Sequence, residues 1–240
     1  MQNESVNIKK INFKKLISYL IIVIVIPLTI LFGAIFLQDK KYYFISLLVI
    51  IYSMIPFLFL FEKSKPKARE IVLIAVMSAI AVVGRAAFFM IPQFKPVVAI
   101  VIITGVSLGA EAGFLTGAIA GFVSNFFFGQ GPWTPWQMFC FGIIGFLAGI
   151  LFEKNILKKN KLTLCIFGGL TTLIVYGGII NFASLLMMTS TINMENLIAI
   201  YASGLPFDVV HAFSTVVFLF LISNTMLEKL DRVKNKYGII

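Results

Sequence analysis

Ionisable side chains are scarce in the apolar stretches of this chain, and Arg85, Asp208 and His211 stand out among them. A polar group inside a membrane is costly, so each is a candidate for function. Asp208 and His211 are spaced i, i+3, which puts both on one face of a helix. A carboxylate and an imidazole so placed can hold a ligand or a proton, or pair with a cation such as Arg85. Amides add hydrogen-bonding capacity at Asn125, Gln130, Gln137 and Asn181. Asn125 and Asn181 serve either a ligand or the joining of helices. Gln130 and Gln137 belong to the stretch FFFGQGPWTPWQMF, residues 126–139, which also supplies Trp133 and Trp136. Within it, Gly129 and Gly131 allow a sharp turn. Thr134 is expected to N-cap the next helix, with Pro135 first in the helix and Gln137 completing a capping box. The tryptophans then form either an interfacial aromatic belt or the wall of a binding site.

Enzyme chemistry finds little support. There is no H-E-x-x-H pair, no Cys/His ligand cluster, no G-x-S-x-G elbow and no P-loop. One His and one Asp on a single helix do not define an acid–base pair. Without a P-loop, any ATP-driven step belongs to partner subunits. No metal site and no cofactor is expected. Cys140 and Cys165 fall near opposite ends of their helices, too far apart for a disulfide, so two free, buried thiols are expected.

These residues must be positioned by membrane helices. The 240 residues are 60% hydrophobic and 12% charged, against about a quarter charged in soluble domains. Mean hydropathy is +1.00. Apolar runs fall at about 16–37, 42–61, 70–92, 96–109, 111–128, 135–152, 162–188 and 205–227. Crossing the hydrocarbon takes roughly 20 residues per helix, which gives eight spans. The run at 96–109 is short, as suits a helix partly buried in protein or one that extends further. The run at 162–188 is long enough to tilt. Of 20 basic residues, 16 lie in four segments: the N-terminus, 62–70, 153–161 and the C-terminus. Eight crossings bring all four to one side, so both termini are expected in the cytoplasm. The net charge of +10 is thus a topology signal and not one for nucleic acid. The connections near 92–96, 126–139 and 189–204 face outside. The first apolar run exceeds a signal-peptide core and lacks a small-x-small cleavage site, so it is read as a retained span. Glu111, in the cytoplasmic turn GAEAG, is expected to be solvated.

The basic stretch FEKSKPKARE, residues 61–70, divides the chain. Residues 1–66 read as a two-helix membrane extension, and 67–240 as a six-helix functional core. No repeat joins the halves of the core, which argues against a transporter built from inverted repeats. Small residues recur every four positions at Gly109, Gly113, Gly117 and Gly121, at Gly145 and Gly149, and at Ala75 and Ala79. Such stripes let helices approach closely, inside one bundle or between subunits.

The six-helix core resembles the substrate-binding S components of energy-coupling factor (ECF) vitamin transporters. AVMSA (75–79) resembles the family's A-x-x-x-A motif, and SGLPFDVVHA (203–212) the start of its last helix. FGQGPWTPWQM (128–138) resembles a segment of a cobalamin-type branch. The resemblance implies an all-α S-component-like bundle, here preceded by two extra helices, in a bacterial cell membrane. It implies capture of a vitamin from outside and docking on an energising transmembrane subunit coupled to two cytoplasmic ATPases. Ala75 and Ala79 would meet that subunit. Trp133, Trp136, Gln137, Asp208 and His211 would line the pocket, with Arg85, Asn125, Gln130 and Asn181 behind them. Cobalamin is the first expected cargo and riboflavin an alternative. The lack of a basic cluster outside argues against a polyanionic substrate. Two other readings remain, a proton-coupled transporter and an intramembrane enzyme, each using Asp208 and His211.

Overall fold

The computed structural model describes residues 13–36, 42–61, 68–189 and 192–238, and all regular structure among them is helical. We number the helices α1 (13–36), α2 (Tyr42–Phe61), α3 (Ala68–Ala87), α4 (Val97–Leu108), α5 (Ala110–Phe128), α6 (Trp133–Glu153), α7 (Lys161–Met188) and α8 (Met194–Tyr237). Each falls on one of the apolar runs. Among the described residues, five helices are long and apolar enough to cross a membrane: α1 from Lys15, and α5 to α8. The apolar part of α3, Ile71–Ala87, and α4 are shorter.

The centre of the bundle is α4. All twelve of its residues, VVAIVIITGVSL, are buried. A helix apolar all round has no solvent face and belongs in the interior, which accounts for its short length. It ends at Gly109, whose φ of 96° is open to glycine and strained for other residues. The chain then turns directly into α5. Glu111, in the first turn of α5, is 4% exposed. The expectation of a solvated Glu111 is therefore wrong. The turn is so tight that its glutamate is tucked beneath the bundle end instead of looping into solvent.

Backbones of α4, α5 and α6 touch through the glycine stripes. A Cβ on Gly105 would lie 2.1 Å from the Gly145 carbonyl oxygen, and one on Gly117 would lie 2.5 Å from the Gly142 nitrogen. In lipid there is no hydrophobic drive between helices, so close van der Waals packing of small residues holds them together. These stripes lie inside the bundle. Helices α1 and α2 pack on α5 and α6 through Ile22, Ile26, Ile45 and Val49 against Phe114, Met138 and Phe146. Ala75 and Ala79 are exposed on α3.

Helix α8 begins at Met194, ahead of the expected start near 205. Asn193 caps it by accepting the Asn196 N–H at 2.8 Å, and Glu195 sits in the first turn, where the helix dipole favours an acid. The helix runs through Gly204 and Pro206. Gly204 is a contact: a Cβ there would lie 2.2 Å from Asn181 Oδ1 on α7.

Candidate functional site

At one end of the bundle, where α3 and α5 finish and α4 and α6 begin, the helix ends enclose a cavity of about 200 Å³. Arg85 enters from the last turn of α3, Asn125 and Phe128 from that of α5. Trp133, Gln137 and Phe141 enter from the first turns of α6. The 88–96 connection adds Gln93 and Lys95, α7 adds Tyr176, and α8 adds His211.

Arg85 organises the polar side. It is 7% exposed, and its Nη1 donates to Ser124 Oγ and, at 2.9 Å, to Asn125 Oδ1. That fixes the Asn125 amide, because its oxygen must face the cation. Its nitrogen then donates to Gln137 Oε1 at 2.9 Å and Thr134 Oγ1 at 3.1 Å. The guanidinium lies over two rings, 4.4 Å from the centroid of Phe128 and 5.7 Å from that of Phe141. Such contacts offset part of the cost of a buried cation. Lys95 also lies over Phe128, at 5.3 Å. Its amine is held below the usual lysine value by burial and then by Arg85. The Ser214 hydroxyl of α8 donates to the Lys95 carbonyl at 3.1 Å, which pins the connection over the cavity.

The other wall is aromatic. Phe141 and Tyr176 stack at 5.2 Å, and His211 meets Tyr176 edge-on at 4.6 Å. Tyr176 lies in a π-helical turn of α7, Thr171–Tyr176, a local widening frequent at functional sites. The buried His211 Nδ1 has no protein hydrogen-bond partner.

Of the residues expected at the site, the structure brings together Arg85, Asn125, Trp133, Gln137 and His211. Gln130 instead ties the turn, donating to the Phe122 carbonyl and accepting from Thr134, each at 2.9 Å. Trp136 is 6% exposed; it points away, towards Phe182 of α7 and towards Ile30, Gly33 and Ile45 of α1 and α2. Asn181 and Asp208 lie beside the cavity and bond to each other, Nδ2 to Oδ2, at 2.7 Å. Gly177 leaves room for that carboxylate, since a Cβ there would lie 2.8 Å from it. An Arg85–Asp208 ion pair does not form, because Asp208 faces α7 and Arg85 faces α5. The i, i+3 spacing of Asp208 and His211 sets both against α7, Asp208 at Gly177 and Asn181 and His211 at Tyr176, but only His211 also lines the cavity.

The capping expectation also fails. Helix α6 starts at Trp133 with Pro132 before it and no side-chain cap. The fully buried Thr134 hydroxyl is taken by Asn125, Gln130 and the Gly131 N–H. Gly131 is required beneath Trp133, whose ring would lie 2.4 Å from a Cβ. Trp133 itself is 42% exposed and stands at the mouth.

Sequence reasoning missed Gln93, Lys95, Phe128, Phe141 and Tyr176. Lys95 was the detectable one: in the expected topology it shares its side with only Lys40 and Lys41 among the lysines, where a positive charge gains nothing from topology. The pocket holds one imidazole and no carboxylate or thiol, and among the described residues no cluster of His, Cys, Asp and Glu could hold a metal ion. Both cysteines are free and buried.

The family model described as "ECF-type riboflavin transporter, S component" matches residues 65–228. A UPF0397 protein of Vibrio atlanticus (strain LGP32) is 30% identical over 124 residues, 49% of this chain and 68% of that protein. A UPF0397 protein of Aliivibrio fischeri (strain MJ11) is 33% identical over 100 residues, 40% of this chain and 52% of that protein. One of Aliivibrio salmonicida (strain LFI1238) is 32% identical over 105 residues, 42% of this chain and 55% of that protein. The chain thus spans just over half the length of the two Aliivibrio relatives. No solved structure matches.

Proposed function

We propose that this chain, which belongs to the family of ECF-type riboflavin transporter S components, captures its substrate in the cavity between Arg85 and His211. The protein is membrane-embedded, and the family is a substrate-binding transport component. The observation that carries the site is convergence. Helix ends and the 88–96 connection deliver two cations, three amides, an imidazole and an aromatic wall to one cavity. Ligand sites combine apolar walls with a few placed polar groups in this way.

The charge pattern puts this cavity outside. The connection 154–160 at the other end of α6 carries Lys154, Lys158 and Lys159, whereas 88–96 carries Lys95 alone. Lysine-rich connections stay in the cytoplasm. We read eight spans with both termini inside, and residues 1–66 as a two-helix extension of a core at 67–240. The energising subunit and two ATPases supply ATP hydrolysis, and this chain supplies none. Ala75 and Ala79 are exposed on α3 and so open to dock that subunit, while the described residues of the extension pack on α5 and α6. The family match favours a binding component over the enzyme and proton-coupled readings, and the Asp208 carboxylate on which both rely is bonded to Asn181 instead of lining the cavity.

The matched family is named for riboflavin, so riboflavin is the first ligand to try. Cobalamin gains no support from that match. A cavity of about 200 Å³ lies below the usual range of about 300–1,000 Å³ for drug-sized ligands, far from the size of a corrin ring. A flavin needs Trp133 and the 88–96 connection to move outward.

The test is ligand-induced stabilisation of the purified chain, without ATP or partners, across a vitamin panel that includes riboflavin and cobalamin. Ligand at 100 times its Kd stabilises by about 2.7 kcal/mol. We expect a shift with one compound that Arg85→Ala removes. A shift unaffected by Arg85→Ala and Trp133→Ala would place the site elsewhere.

A further inference from the structure

The cavity carries two cations and no acid. Arg85 and Lys95 both line it, and no Asp or Glu does. Among the described residues neither cation has a carboxylate partner. Arg85 is buried, and Lys95 is half-buried with its amine donating to the Ile91 carbonyl at 3.0 Å; a buried charge in a membrane protein is ordinarily paired, because an unpaired one is costly. Arg85 has only neutral hydrogen-bond partners, and both of those bonds leave from Nη1. A guanidinium has five N–H donors in a planar fork, and these two bonds use Nη1 alone on a side chain that lines the cavity. Lys95 and Arg85 lie over the same Phe128 ring. The fold therefore holds two like charges around one ring, an arrangement that raises its own energy unless an anion joins them.

We propose that the ligand is a flat ring compound bearing an anionic group, a carboxylate or a phosphate, which the Arg85 fork and the Lys95 amine read together. This rests on the reading of the cavity as the substrate site. The planar fork suits two anionic oxygens, and a lysine adds a point charge. The stacked Phe141–Tyr176 pair flanks the ring, and His211 Nδ1, which has no protein partner, is left for its polar edge. Lys95 stands in a connection that is otherwise uncharged, FFMIPQFKP (88–96), so its charge is local to the cavity mouth.

The experiment compares matched neutral and anionic ligands on the purified full chain, reading Trp133 fluorescence in a Trp136→Phe background. The pairs are riboflavin and flavin mononucleotide, nicotinamide and nicotinate, and pyridoxal and pyridoxal 5′-phosphate, with inorganic phosphate as a control for the anion alone. We expect the anionic member of at least one pair to bind tenfold or more tightly than its neutral partner. Lys95→Gln should reduce that preference several-fold, and it lies in a connection where loss of the fold is not expected. Arg85→Gln should abolish it, and Arg85→Lys should restore part of it. Equal or tighter binding of the neutral members, unchanged in Lys95→Gln and Arg85→Lys, would overturn the anion reading and leave the substrate site standing. No response of Trp133 to any compound would overturn both.

Discussion

The glycine seam and the cavity are built on opposite plans. Along the seam, α4, α5 and α6 meet backbone to backbone, and Gly105, Gly113, Gly117 and Gly145 admit no side chain. At the cavity, α5 and α6 end in long polar and aromatic side chains, and Asn125 and Gln137 hold each other at hydrogen-bond distance. The seam leaves no freedom and no space. The cavity has both, and it lies one to two turns away along α5 and α6. A rigid seam so close to the site fixes the helix ends that carry Arg85's partners, and a site on rigid elements is held more closely than one on loops.

The largest expected effect breaks the seam. Gly117→Leu forces a side chain into the Phe141–Gly142 backbone. Overpacking costs about 1–3 kcal/mol when neighbours can shift; here they are main chain, and we expect loss of a monodisperse folded protein on size exclusion. Gly178→Ala, with nothing within 4 Å of the added carbon, is the matched control and should melt no lower than the parent. Next comes Arg85→Ala. It removes a charged donor from Ser124 and Asn125, and we expect ligand affinity to fall about 100-fold, the equivalent of roughly 3 kcal/mol, measured by titration. Asn181→Ala and Asp208→Ala come third. Each breaks the α7–α8 bond and should lower stability by about 1 kcal/mol, while binding changes less than threefold. A loss of binding as large as that of Arg85→Ala would return Asp208 to the site. The smallest effect is at Trp136. Trp136→Phe keeps an aromatic ring beside Phe182 and should leave affinity unchanged in the same titration.

The helices were legible because long apolar runs carry them; the site was legible only in part. Arg85, Asn125, Gln137 and His211 were found because a polar group within an apolar run is costly and so conspicuous. Phe128, Phe141 and Tyr176 were not, because one aromatic among 25 phenylalanines and seven tyrosines carries no such mark. Trp136 lies outside the cavity for a geometric reason: close neighbours on one helix diverge when partner helices flank it on different sides, and Trp136 meets Phe182, Ile30 and Ile45. Asp208 lies outside it because Asn181, further along α7, holds its carboxylate. Helix α8 begins ahead of its apolar run because its first turns, MENLIAIYASG, are too mixed in polarity to extend that run, and Gly204 among them is a contact for Asn181. The short α4 was correctly suspected of burial, since a fully apolar helix too short to cross has few other places to go.

The most direct test of substrate capture uses the two tryptophans against each other. Only Trp133 lines the cavity, and the chain has no third tryptophan. Trp136→Phe and Trp133→Phe proteins are titrated in parallel with riboflavin and flavin mononucleotide, without ATP or partner subunits. The account predicts a saturable change in Trp133 emission in the first protein and little change in that of Trp136 in the second. A saturable change confined to Trp136, beside α1 and α2, would contradict it and move the ligand to the other side of α6.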